Sequence, residues 1–204
     1  MYIPKEFKIE NKELAFEFIQ KNNFGLLLCN GEDVPLTTHL PFFLEQENET
    51  ISLITHLAKE NPQWQTLEKN NNCLIIFSGA NGYVSPSLYS SSRNVPTWNY
   101  MAVHLKVKAK VIHDTEEKKR IMHQTIQVIE PAFLKQYNEL APEYLHAMYN
   151  AITGLKFEIT GIETKFKLSQ NKPEEDKRKV ADFFENTGNK ILADWMRKIN
   201  SSNT

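Results

Sequence analysis

The feature that most constrains this chain is the stretch VPTWNYMAVHLKVKAKV, Val95 to Val111. From Val103 onward the alternation is strict: Val103, Leu105, Val107, Ala109 and Val111 point one way, His104, Lys106, Lys108 and Lys110 the other. Period two with one apolar and one cationic face marks a half-buried β-strand. Carried back in the same register, Trp98 and Tyr100 fall on the lysine face. Two large rings on a face that should be wet need a cover. A partner chain, another part of this chain or a planar ligand would each supply one.

The remaining pattern sets the fold class. Asn11 caps an expected helix reaching about Lys21, and Gly25 opens the strand LLLCN. Residues 34 to 57 read as a hairpin: Leu36, Thr38, Leu40 and Phe42 share one face of its first strand, Thr37 and His39 share the other, and QENE makes the turn. Asn61 with Pro62 marks a helix start, with Pro62 at the first helical position. NCLIIFSG is a short apolar strand, and the segment from Asn81 to Asn94, rich in Ser, Gly and Pro, reads as a long loop. Asp114 and Glu117 form a capping-box-like start for a helix that Pro131 ends. Gly154 is the expected stop of the helix APEYLHAMYNAI, and LKFEIT and ETKFKLS read as two strands hinged at Gly161. One or two amphipathic helices follow Pro173. Six or seven strands interrupted by helices, without strict alternation, predict a mainly β, α+β fold, a barrel with helical decorations. No linker or repeat divides the chain, so the expectation is a single domain over 1–204 with a helical extension from about residue 173.

Composition excludes several classes. With Lys+Arg 24 against Asp+Glu 25, no global positive field announces sequence-independent nucleic-acid binding. Cys29 and Cys73 each lie in an apolar run and read as buried free thiols in a reducing compartment. No apolar run approaches the roughly 20 residues of a membrane span, so the expectation is a soluble cytoplasmic protein with no membrane partner. The chain lacks G-x-G-x-x-G, a Walker loop, G-x-S-x-G and any Cys or His pair at metal spacing. No metal site is expected, and no motif assigns catalytic residues.

Polar groups nevertheless recur near strand ends. In THLAKEN, His56 and Lys59 precede the Asn61 cap, a combination that reads either as an anion site or as a solvated turn. In KFKLSQN, Lys165, Lys167 and Ser169 share one face while Phe166 and Leu168 pack inward; an amphipathic edge strand would look the same. Rings at Trp98 and Tyr100, a Thr/His strand at Thr37, Thr38 and His39, and two cationic sites together suit a ligand with a flat ring system and a phosphate. Those are the two ends of flavin mononucleotide, FMN.

The segments MYIPKEF, HLPF, THLAKENPQW, GYVSPSLY, VPTWNYMAVH and KFKLSQNK stand in order from Met1 to about Pro173, and together they resemble the PaiB family of FMN-binding negative transcriptional regulators. Within the last motif, Thr164, Phe166 and Lys172 replace the Gly, Trp and Arg of the family pattern. The resemblance implies an FMN-binding split β-barrel that works as a homodimer with the cofactor at the subunit interface. It also implies Thr37, Thr38 and His39 beside the ring, His56 and Lys59 near the phosphate, and Asn99, Tyr100, Lys167 and Gln170 completing the pocket. An FMN-binding regulator is therefore the expected function, with DNA or a regulatory protein as partner. The alternatives are a flavin-dependent oxidoreductase using a nicotinamide or small-molecule donor, and a cofactor-free interaction module. The best basic run, DKRKV at Asp176 to Val180, sits among Glu174, Glu175, Asp182 and Glu185 and reads as a solvated helix face.

Overall fold

The computed structural model describes residues 1–201. Along them run α1 (Lys12–Lys21), β1 (Phe24–Cys29), β2 (Leu36–Pro41), β3 (Phe43–Glu47), β4 (Thr50–Ala58), α2 (Gln63–Lys69), β5 (Asn72–Ser78), β6 (Gly82–Val84), β7 (Thr97–Ile112), α3 (Thr115–Ile129), α4 (Leu134–Asn138), α5 (Pro142–Asn150), β8 (Ile152–Lys167), α6 (Glu174–Asn186) and α7 (Lys190–Ser201). Two units emerge, the first comprising Met1–Phe18, Ser78–Val103 and Glu163–Thr204, the second Ile19–Phe77 and His104–Ile162.

The main sheet has the order β2-β1-β5-β7-β8-β4-β3, most of it in the second unit, while the start of β7 and the end of β8 belong to the first. Its apolar side follows from the alternation: Leu105, Val107 and Ala109 are buried while Lys106, Lys108 and Lys110 are exposed. Phe42 makes edge contacts with Phe77 and Phe157, at centroid distances of 5.6 and 5.9 Å, among the fully buried Leu27, Leu53 and Leu155. Helix α3 starts as expected, with the Asp114 carboxylate accepting the Glu117 N–H at 2.9 Å. Its Ile121 packs with Phe43, Ile54 and Ile112.

In the first unit β6 pairs antiparallel with the start of β7, Gly82 opposite Asn99 and Tyr83 opposite Trp98. The amphipathic helices α6 and α7 are joined through Gly188, whose φ of 89° is the left-handed conformation a helix C-terminus favours. They bury Val180, Phe184, Leu192 and Met196. Phe18, Phe166 and Trp195 form a ring cluster with centroid distances of 5.1 to 5.8 Å.

Five local expectations need correcting. The segment 34 to 57 is not one hairpin, because β2 pairs with β1 while only β3 and β4 pair with each other. Phe42 and Phe43 are both buried, which one face of a flat strand cannot accommodate, so the chain turns a corner after Pro41. Helix α2 begins at Gln63, with Pro62 just before it. The loop from Asn81 contains β6 and a 3₁₀ turn at Pro86–Leu88. Gly154 lies inside β8; a Cβ there would come 2.9 Å from Ile121 Cδ1, so the glycine admits α3 to the strand. β8 is continuous for 16 residues, and Gly161 is no hinge.

Candidate functional site

The residues singled out by sequence fall into two sets, one in each unit. In the second unit, Thr37 and His39 are on the exposed face of β2. The His39 ring lies nearly parallel to Phe24, 6.0 Å between centroids. Thr38, on the opposite face, is committed internally. Its hydroxyl donates to Gln63 Oε1 and accepts from Asn61 Nδ2 at 3.0 Å, while the Asn61 carbonyl oxygen takes the Gln63 N–H at 3.0 Å. Gln63 Nε2 in turn donates to the Leu36 carbonyl at 3.2 Å. The Asn61 carboxamide is thus spent on pinning α2 to β2, and α2 has only seven residues. Gln63 keys this network with 2% exposure, and nothing in the local pattern distinguishes it from a surface glutamine.

His56, on β4, is half-buried, and its Nδ1 is enclosed without a hydrogen-bond partner. Burial lowers its pKa, so near neutral pH the ring is uncharged. Lys59 is exposed just beyond the strand, where its backbone N–H is held by the Ala151 carbonyl at 2.8 Å. Its charge acts on the buried Lys118, whose pKa is depressed first by burial and then by Lys59.

In the first unit the strand pair β7 and β8 supplies the other set. Asn99 is buried; its Nδ2 donates to Ser169 Oγ at 3.0 Å and reaches Met196 Sδ at 3.5 Å. Lys165 is 9% exposed, donates to the Tyr2 carbonyl at 3.2 Å, and lies 5.3 and 5.7 Å from the ring centroids of Tyr100 and Tyr2. Its charge is therefore satisfied by two aromatic faces and a carbonyl. Gln170 folds back on its own strand, accepting the Leu168 N–H at 2.7 Å and donating to the Phe166 carbonyl. Lys167 behaves differently. Half-buried, it donates to Thr97 Oγ1 and borders a cavity of about 320 Å³ whose lining also includes Asn99, Ser169 and Lys172. Burial lowers its pKa, and the charges of Lys165 and Lys172 push the same way against Tyr100.

At the start of β7, Trp98 and Tyr83 face outward, 49% and 47% exposed, with ring centroids 6.2 Å apart. Trp98 Nε1 donates to Asn81 Oδ1 at 3.0 Å, so its polar edge is satisfied and its faces are bare. Each set taken by itself carries groups of the kind FMN calls for: a lysine and an uncharged imidazole with Thr37 in the second unit, and lysines, a carboxamide and exposed rings in the first. Each unit also holds a buried polar atom without a hydrogen-bond partner, at His56 in the second and at Tyr89 in the first.

Comparison with known proteins agrees. A family model described as "Putative FMN-binding domain" matches residues 1–161. The chain is 36% identical over 197 residues to the Protease synthase and sporulation protein PAI 2 of Bacillus subtilis, covering 93% of this chain and 91% of that protein. Among solved structures it is similar to the flavocytochrome Anf3 from Azotobacter vinelandii, with TM-score 0.63 at 17% identity over 86% of this chain and 77% of that one. It is also similar to the FAD and heme binding protein from Mycobacterium smegmatis, with TM-score 0.61 at 14% identity over 86% and 79%. These likenesses establish the fold as the flavin-type split β-barrel, mainly antiparallel sheet with helical decorations.

Proposed function

The chain belongs to the FMN-binding family that includes PAI 2 of Bacillus subtilis, and on that premise we propose that it is an FMN-dependent regulatory protein working as a homodimer in the cytoplasm. The observation that carries this reading is the bare ring pair Trp98, at the start of β7, and Tyr83, opposite it on β6, each about half exposed. Such a pair calls for a second copy of the chain or a planar ring as cover. Bound FMN supplies a ring that takes up and returns a hydride or single electrons. We assign cofactor contact to Thr37, His39, His56 and Lys59 within the second unit, and separately to Asn99, Tyr100, Lys167 and Ser169 within the first. Thr38, Lys165 and Gln170, whose polar groups are already committed, hold their neighbours in place.

The regulatory role follows PAI 2, whose name ties it to protease synthesis and sporulation. A second reading, a flavin oxidoreductase using a nicotinamide or small-molecule donor, is favoured by the state of α6. There Lys177 pairs with Glu174 at 2.5 Å and Lys179 with Glu175 at 2.6 Å, which leaves DKRKV largely neutralised for phosphate contact. Regulation therefore runs through a partner protein more readily than through direct DNA contact.

Absorption spectroscopy of the purified protein tests the core of this reading. Flavin bands that survive gel filtration, with FMN released on denaturation, are expected. Failure to retain FMN after reconstitution overturns it, and a sedimentation coefficient of a monomer at micromolar concentration removes the homodimer. Anaerobic turnover of reduced nicotinamide well above that of free FMN, with no DNA or protein partner retained, reverses the order of the two readings.

A further inference from the structure

We infer that the first-unit cavity between the start of β7 and the end of β8 is an oxyanion site that takes the phosphate of a small phosphorylated molecule, with Arg93, Lys172 and Tyr89 as ligands alongside Lys167. The inference goes beyond the flavin reading and stands without it. None of these three residues lies in a periodic segment that would mark it from sequence.

The lining supplies three cations, Arg93, Lys167 and Lys172, and no carboxylate. Each lysine is positioned by one hydrogen bond to a neutral group, which leaves its remaining N–H donors for a ligand. Lys167 donates to Thr97 Oγ1, and Lys172 donates to Asn94 Oδ1 at 2.6 Å while resting 4.5 Å from the Tyr89 ring centroid. The Arg93 guanidinium has no ion-pair partner among the described residues. Asp176, whose charge acts on Lys172, has its Oδ1 engaged by the N–H and hydroxyl of Ser90, both at 2.9 Å.

Tyr89 is the independent observation. It is 8% exposed, it borders the cavity, and its hydroxyl is enclosed with no hydrogen-bond partner of good geometry. Burial raises its pKa, a hydrogen-bonding contact from the Ser169 side chain lowers it, and the charge of Asp176 raises it further. A buried O–H donor beside three cations, with Asp176 acting on Lys172 from outside the lining, suits an acceptor carrying negative charge. The volume of about 320 Å³ is roughly ten times the ~30 Å³ share of a liquid water, which leaves room for a phosphate with an organic body attached.

The phosphate has two possible sources, FMN itself or a second small ligand, and one experiment separates them. Thermal denaturation is followed in sodium phosphate and in sodium chloride at equal ionic strength, for flavin-free and FMN-loaded protein. Flavin-free protein is expected to gain stability saturably in phosphate over chloride. Arg93→Gln, Lys172→Gln and Tyr89→Phe, the last keeping the ring that Lys172 rests on, are each expected to raise the half-saturating phosphate concentration; for the two charge-removing variants the rise should be about tenfold or more. Loss of the phosphate response on FMN loading assigns the site to the flavin's own phosphate; persistence assigns it to a second ligand. Equal midpoints in phosphate and chloride for flavin-free wild type, or a wild-type response in the Arg93 and Tyr89 variants, overturns the inference. Those two variants keep the test open should Lys172→Gln fail to fold.

Discussion

Arg120 on α3 donates a hydrogen bond to the buried carboxylate of Glu45 on β3. Lys156 Nζ lies 2.8 Å from the other Glu45 oxygen, at an angle that makes it an ion contact rather than a directed hydrogen bond. Burial pushes the Glu45 pKa up, but the contacts from Lys156 and Arg120 outweigh it and hold the carboxyl below the ordinary value near 4.5. A folded-state pKa below the unfolded one contributes stability that is complete above the unfolded value and lost as pH falls through the folded one. Glu45→Gln should therefore flatten the acid limb of the stability profile below about pH 4.5. At pH 7 it should cost about 1–3 kcal/mol, below the loss for a fully buried pair because Arg120 and Lys156 keep part of their side chains in water. Urea denaturation across pH 3 to 7 checks both; an unchanged acid limb would show that the pair contributes nothing.

Cys29 and Cys73 stand opposite each other on β1 and β5. Burial, reinforced by the Cys29 sulfur, pushes the Cys73 thiol up to about 12. Since the thiolate is the reactive form, Cys73 should resist a disulfide reagent at pH 8 in the native protein, Cys29 should resist it because it is buried, and both should react fully once unfolded. Rapid labelling of one thiol per chain under native conditions would contradict this placement.

Gly82 sits where a Cβ would strike the Phe184 ring, 2.8 Å from Cζ, and approach Leu192 Cδ2 at 3.2 Å. Both side chains are buried under α6 and α7 and have little room to yield. Gly82→Ala is expected to lower stability by about 1–3 kcal/mol and to expose α6 and α7 to limited proteolysis before β1 to β5. Uniform loss of protection across the chain would mean that the clash is relieved elsewhere.

What the sequence reveals and what it hides divide along physical lines. The faces of β7, the Asn11 and Asp114 caps and the two terminal helices are legible because each is a local pattern of spacing or capping chemistry. The corner after Pro41 is not, since adjacent phenylalanines look the same in a buried strand as in a bend. Gly154 and Gly161 read as punctuation, yet the first answers to Ile121 from another element and the second does nothing special. At the site, the pattern identifies Lys167 and Ser169 on one face of a strand. It cannot reveal that Thr38 is taken by Gln63, 25 residues away, or that Tyr89 and Arg93 converge with Lys172 from a serine-rich loop without periodicity.

Ser169 closes β8 in a conformation that ordinary residues avoid, with φ of 65°. Two hydrogen bonds hold it there: its hydroxyl accepts from Asn99 Nδ2 at 3.0 Å, and its carbonyl accepts the Lys172 N–H at 2.9 Å. The second bond makes the turn that presents Lys172 to the same cavity as Lys167. Replacing the serine by alanine removes the hydroxyl but keeps the Cβ that strains the left-handed backbone, whereas glycine removes both. The two variants lose the same hydrogen bond, so their difference isolates the backbone strain. Ser169→Gly should be more stable than Ser169→Ala by about 1 kcal/mol, offset in part by the greater freedom glycine gives the unfolded chain. Paired urea denaturation curves measure the gap directly. A Ser169→Ala variant as stable as Ser169→Gly would mean that the turn has relaxed to another conformation, and loss of the phosphate response in Ser169→Ala alone would then place that relaxation at Lys172.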